Sequence, residues 1–206
     1  PGGDDRRHPP LSGPARGARP RLLVATRSHH KLRELRELLH VTRAQLVDLD
    51  DLGIPDEVDE PGETFAANAA LKARAYARRS RLPTLADDSG LEVDALGGGP
   101  GVRTKRYAGP DATDRTNNEK LLGALAGLPP ERRGARYVCV LALALPDAAG
   151  PRGGIPVVLA RGTCRGRIAA GPRGDGGFGY DPIFVPLADP ADGRTFGERP
   201  AAEKHA

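Results

Sequence analysis

The chain has 206 residues, 38% hydrophobic and 28% charged, with a formal net charge of +4 and an isoelectric point near 9.4. That is enough apolar material for one globular core. It excludes a membrane span, because the longest apolar run, Val138–Leu145, falls well short of the roughly twenty residues a spanning helix needs.

Residues 1–20 hold five prolines and no apolar periodicity, which predicts a disordered leader ahead of a single domain over 21–206. Arg21–Ala25 reads as a short buried strand that turns through Thr26–His30 into a helix over about 29–39. Leu32, Leu35 and Leu39 fall on one face of that helix. A short strand is expected near 45–49. After Pro61-Gly62, Thr64 is a suitable N-cap for a second, Ala-rich helix running to about Arg79. Thr84–Ala86 reads as strand, Asp87–Gly90 as a turn-like acidic cluster, and Leu91–Leu96 as strand again. A third helix fits Asp114–Leu125. Tyr137–Leu145 is the clearest strand, and Val157–Thr163 pairs with it through the loop 146–156. Pro182–Val185 reads as a last short strand. Strands and helices interleave, so the expected class is α/β or α+β.

The chemistry-bearing residues lie in four places. The turn at Thr26–Lys31 offers hydroxyls, backbone N–H groups and an amine at a helix N-terminus, which suits a phosphate. Asn68 and Lys72, four apart, share one helix face below the acidic stretch Asp56–Glu60. The adjacent carboxylates Asp87 and Asp88 strain each other unless a cation or donors relieve them, and Mg²⁺ is the fitting ion because it takes a few carboxylate oxygens plus substrate phosphates. Gly176–Pro182 combines flexible backbone with Phe178, Tyr180 and Asp181: a ring there can stack on a base and a carboxylate can accept from a ring N–H, or the segment is a Gly-rich hairpin loop with its aromatics packed in the core. No Walker loop and no nucleophile elbow occurs. Cys139, alternating within a strand, reads as a small buried hydrophobe. With only Cys139 and Cys164, neither a disulfide framework nor a cysteine-built zinc site is available, and the expected compartment is a reducing cytoplasm. The positive charge comes from arginine spread along the chain, with five lysines against 26 arginines. With aromatics at 4% this argues against direct nucleic-acid binding.

Taken in order, these segments resemble the inosine triphosphate pyrophosphatase family. The matching strings are Ala25-Thr26-x-x-x-x-Lys31-Leu32-x-Glu34-Leu35, Gly62-x-Thr64-Phe65-x-x-Asn68-Ala69-x-Leu71-Lys72 and Ala86-Asp87-Asp88-Ser89-Gly90-Leu91-x-Val93-Asp94. Gly97-Gly98-x-Pro100-Gly101-Val102, Arg106-Tyr107-Ala108-Gly109, Gly177-Phe178-Gly179-Tyr180-Asp181-Pro182 and Ala202-Glu203-Lys204 follow. The resemblance implies a long curved mixed sheet flanked by helices, two lobes around a cleft, and a homodimer. It implies Mg²⁺-dependent hydrolysis of ITP, dITP or XTP to the monophosphate and pyrophosphate, a cleansing of the nucleotide pool. By the same carry-over, Asp88 is the catalytic carboxylate and a metal ligand, with Glu60 (or its neighbour Asp59) the second ligand. Thr26, Arg27, Ser28, His29, His30, Lys31, Asn68, Lys72 and Ser89 handle the triphosphate, and Phe178, Gly179, Tyr180, Asp181 and Lys204 bind the nucleoside.

The chain departs from the family pattern at Ser28, where Asn is usual, at Pro61, where Thr is usual, and at Arg103-Thr104-Lys105, which replaces smaller residues. The family's Ser-His-Arg segment does not follow Lys204, and methionine is absent even at position 1. The expectation is a C-terminally incomplete domain, with a catalytically weak nucleotide-binding remnant as the alternative reading.

Overall fold

A computed structural model of the chain describes residues 19–39, 43–146, 148, 154–188, 193–200 and 203. The expected leader (save Arg19 and Pro20), part of the loop 146–156 and Lys204 lie outside the described residues.

Six strands form one mixed sheet in the order β2-β1-β3-β4-β5-β6. Strand β1 (Arg21–Val24) runs parallel to β2 (Gln45–Val47) on one side and to β3 (Thr84–Val93) on the other. Parallel neighbours need crossovers, and α1 (His29–Leu38) and α2 (Phe65–Ser80) supply them. From β3 onward the sheet is antiparallel: β4 (Gly134–Ala144), β5 (Val157–Ile168) and the short β6 (Phe184–Pro186). A further helix, α3 (Asp114–Ala124), precedes β4.

The helices start where their caps dictate. Ser28 Oγ accepts from the Lys31 amide, Thr64 Oγ1 from the Ala67 amide, and Thr113 from the Thr116 amide. The Thr64 cap and the (i, i+4) face of Asn68 and Lys72 are as the sequence predicts. The expected turn at Asp87–Gly90 is not a turn. All ten residues of β3 pair with β4, with Asp87 opposite Leu141, Asp88 opposite Val140 and Ser89 opposite Cys139. The strand ends at Val93, and Asp94–Leu96 forms a 3-10 turn. Local preference of Asp, Ser and Gly for turns yields here to a continuous antiparallel ladder on β4.

Continuity matters because side chains alternate faces along a strand. One face carries Ala86 and Asp88, together with Val138, Val140, Ala142 and Ala144 of β4, and packs against Phe65, Ala69, Ala73, Tyr76 and Ala77 of α2. The opposite face carries Leu91 and Val93 with Ala135, and packs against Leu121, Leu125, Tyr180, Ile183 and Phe184. The sheet thus has two apolar cores, on opposite faces and at opposite ends of its long strands. The core changes sides between Ala86 and Leu91. Cys139 lies on the second face in this changeover zone and is exposed, contrary to the expectation of a buried hydrophobe. The core on its face begins only two residues back along β4, at Tyr137.

Candidate active site

The changeover zone gathers two sets of polar side chains, one on each face of β3. On the α1 side, Lys31 Nζ donates to Asp87 Oδ2 at 2.6 Å and to Ser89 Oγ at 2.8 Å, and Ser89 Oγ donates to Asp87 Oδ2 at 3.3 Å. The Asp87 side chain is almost wholly buried. Burial alone opposes the ammonium charge on Lys31, but the adjoining Asp87 carboxylate outweighs it and holds the amine above its ordinary pKa.

On the α2 side, Asn68 Nδ2 donates to Asp88 Oδ2 at 3.0 Å, and Asp88 Oδ1 accepts the Ser89 N–H at 3.0 Å. Asn68 Oδ1 accepts the Gly62 N–H at 2.7 Å. A Cβ on Gly62 would run into that amide oxygen, so only glycine lets the loop lie this close. The clasp fixes the acidic loop over α2, and Tyr76, whose hydroxyl donates to the Asp56 carbonyl at 3.1 Å, fixes its far end. Glu60 is thereby set against Lys72, Oε1 to Nζ at 2.9 Å, while Asp59 is exposed. Burial pushes the Asp88 carboxyl up from its ordinary pKa. The Asn68 hydrogen bond and the charges on Lys72 and Lys31 oppose the rise, and the Glu60 charge adds to it.

These two sets bring together Lys31, Ser89, Asn68, Lys72, Asp88 and Glu60. The rest of the first turn behaves differently. Thr26 Oγ1 accepts the Ser28 N–H at 3.2 Å, so Thr26 and Ser28 shape the turn. Arg27 turns away to Asp50, at 2.8 Å, and to the Ile54 carbonyl. His29 borders a cavity of about 600 Å³ along α1 with Leu32, Arg33, Arg36 and Glu37. The backbone of His30 lies in the first turn of α1.

The Gly177–Pro182 segment divides its residues between core and surface. Phe178 is exposed. Tyr180 is buried, its hydroxyl donating to the Thr104 carbonyl at 2.8 Å. Asp181 is also buried: Oδ1 accepts from Tyr137 Oη at 3.1 Å and Oδ2 from the Phe178 N–H at 3.3 Å. Burial, reinforced by the Asp181 charge, holds the Tyr137 hydroxyl protonated well above its usual range. Thr104, at one of the departures from the family pattern, also accepts the Leu91 N–H at 3.1 Å.

Sequence reasoning missed the separation of Asp87 from Asp88 onto different faces, and the clasp of Asn68 on Gly62. It also missed the polar side of α3, where Asn117 and Asn118 are buried. Two adjacent asparagines inside a helix are poor helix formers and carried the available signal.

Two carboxylates, Glu60 and Asp88, could hold a divalent cation. Among the described residues no group of three or more His, Cys, Asp or Glu is placed to do so. A pair fits an ion such as Mg²⁺, which keeps waters and takes phosphate oxygens for its other positions. A buried Asp88 whose charge is disfavoured by burial and by Glu60 is the donor set such a cation would relieve.

Comparison with known proteins gives concordant matches. The model of the Ham1 family matches residues 22–206. The dITP/XTP pyrophosphatase of Syntrophobacter fumaroxidans is 50% identical over 183 residues, covering 89% of this chain and 74% of that protein. The dITP/XTP pyrophosphatase of Anaeromyxobacter dehalogenans is 48% identical, covering 90% of each. Among solved structures, a HAM1 protein from Coxiella burnetii superposes with a TM-score of 0.79 at 38% identity, covering 91% of this chain and 90% of that one.

Proposed function

The chain belongs to the Ham1 family, and from that membership and the site we infer that it hydrolyses nonstandard purine nucleoside triphosphates such as dITP and XTP to the monophosphate and pyrophosphate. The observation that carries the chemistry is the buried Asp88 carboxylate, held by Asn68 and flanked by Glu60, Lys72 and Lys31. Cleavage of the α–β phosphoanhydride needs a positioned water, cations for the leaving pyrophosphate and neutralisation of the triphosphate.

Asp88 orients the water and takes its proton. The Asn68 amide and the Ser89 N–H fix the orientation of this buried carboxylate. Lys31 and Lys72 bind the phosphates that leave. Ser28 and the backbone N–H groups at the start of α1 bind a terminal phosphate. Glu60 and Asp88 would hold Mg²⁺, which when bound neutralises phosphate charge and polarises the anhydride. Lys72 then exchanges part of its pairing with Glu60 for a phosphate oxygen.

Phe178 stacks on the purine. Asp181, oriented by Tyr137, accepts from the N1–H of a 6-oxopurine. Adenine has no proton at N1 and would oppose one lone pair with another, so ATP is disfavoured. A homodimer in the cytoplasm, with no nucleic-acid partner, completes the proposal; no helix among the described residues is long and apolar enough to cross a membrane.

Incubation with dITP and MgCl₂, followed by a pyrophosphate assay, tests the reading. Release of one pyrophosphate per dITP is expected, and EDTA should abolish it. Calorimetric dITP binding with no pyrophosphate released would replace the enzyme by a nucleotide-binding protein.

A further inference from the structure

Helix α3 lies outside the phosphate site, yet two of its side chains close on one residue of the segment assigned above to the base, holding the two peptide units that flank its Cα. Asp114 Oδ2 accepts the Gly179 N–H at 2.7 Å, and Asn118 Nδ2 donates to the Gly179 carbonyl at 3.1 Å. Asp114 and Asn118 are four apart, so they share one helix face. Gly179 has φ +63°, a left-handed conformation that a side chain would disfavour. Both polar groups of one glycine are therefore held by one rigid element, on a residue flanked by exposed Phe178 and buried Tyr180.

Asn118 is not explained by stability alone. Its side chain is buried, and among the described residues its Oδ1 has no hydrogen-bond partner. A buried acceptor without a partner is a cost that an apolar residue at this position would avoid. The bond to Gly179 is what the side chain accomplishes in return. Asp114 is the first residue of α3, at the end of the helix where an acidic side chain is favourably placed. The same helix is tied through Asn117 to the segment that precedes it. Its Nδ2 donates to the Lys105 carbonyl at 3.1 Å, and its Oδ1 accepts the Ala108 N–H at 2.7 Å, in the segment whose Thr104 caps Leu91.

We propose that Asp114 and Asn118 are positioning residues for base recognition, clamping Gly179 so that Phe178 and Asp181 meet the purine in a single geometry. The inference rests on the reading of Phe178 and Asp181 as the base-binding pair. It assigns α3 a part in selecting the base and none in binding phosphate.

Steady-state kinetics with dITP and dATP test it, on the full chain with Mg²⁺, with inorganic tripolyphosphate as a base-free competitor. Asn118→Ala and Asp114→Ala should each raise KM for dITP about tenfold, with kcat within about threefold of wild type, as expected when one charge-assisted or buried hydrogen bond is lost. The preference for dITP over dATP should fall by a similar factor, while the inhibition constant of tripolyphosphate stays within about twofold. Asp114→Asn keeps an acceptor for the Gly179 N–H and should recover most of the loss in KM. A parallel rise in the dITP KM and the tripolyphosphate constant, unrescued by Asp114→Asn, would overturn the clamp in favour of a general structural role. Phe178→Ala separates the premise from the inference. An unchanged KM in that variant removes the base-binding reading itself, whereas a raised KM there with wild-type values in the α3 variants removes the clamp alone.

Discussion

Asp87 and Asp88 are identical side chains one peptide apart, both buried, and the fold gives them different work. Asp87 faces α1, where Lys31 and Ser89 engage one of its oxygens and the charge is matched by a cation at 2.6 Å. Asp88 faces α2, where its donors are the neutral Asn68 amide and the Ser89 N–H, and Lys72, the cation that acts on it most, is already paired with Glu60. One carboxylate is a counter-ion, and the other is the one we propose as the base. A strand reverses its side-chain direction at each residue, so the two charges point to opposite sides of the sheet instead of repelling each other in one turn. Adjacent carboxylates in a continuous strand can thus have different partners, which in a tight turn they would share.

Removing the base should give the largest effect. Asp88→Asn keeps the size but only one of the two acceptor oxygens, and should lower kcat for dITP by about 10²–10⁴-fold, the range for a lost general base. A single-turnover assay beside a thermal melt checks it, and full activity in this variant would erase the distinction between the two carboxylates. Lys31→Met strands the buried Asp87 charge and should destabilise the fold by about 3–5 kcal/mol, read as a lowered midpoint in urea. Making the other side apolar as well, in Lys31→Met with Asp87→Leu, should return most of that stability and none of the activity. Were the double variant as unstable as the single one, the pair would be holding the strand itself rather than balancing a charge. Lys72→Met should cost at most about 1 kcal/mol, because Glu60, its partner, is about a third exposed and water can solvate it. Its effect belongs in kcat/KM. The two lysines should therefore part company in a denaturation experiment while both impair turnover.

Arg133 draws the same distinction among the arginines. Read along the chain, arginine looks like a compositional habit of the surface. Arg133 is nonetheless buried, and its guanidinium donates to the carbonyls of Leu125, Leu128 and Ala169, each at 3.0 Å. It ties the end of α3 to the segment after β5. No local pattern marks it off from Arg132, which is exposed.

Much of the architecture was legible because it is written in short-range rules. Thr64 ahead of an Ala-rich run announces α2, the apolar run at Tyr137–Leu145 announces β4, and Asn68 with Lys72 at helical spacing predicts a shared face that the structure has. The motif strings carried the family and its chemistry, since spacing within one element survives folding unchanged. Three-dimensional pairing decided the rest. Only the ladder with β4 turns Asp87–Gly90 from an apparent turn into strand and sends its two carboxylates to opposite faces. Only the crossing of the core from one face to the other exposes Cys139, buries Tyr180 and Asp181, and brings α3 onto Gly179. The sequence by itself determined which residue types were present and at what local period. Which face each of them meets depends on partners dozens of residues away, and those contacts exist only once the sheet has closed.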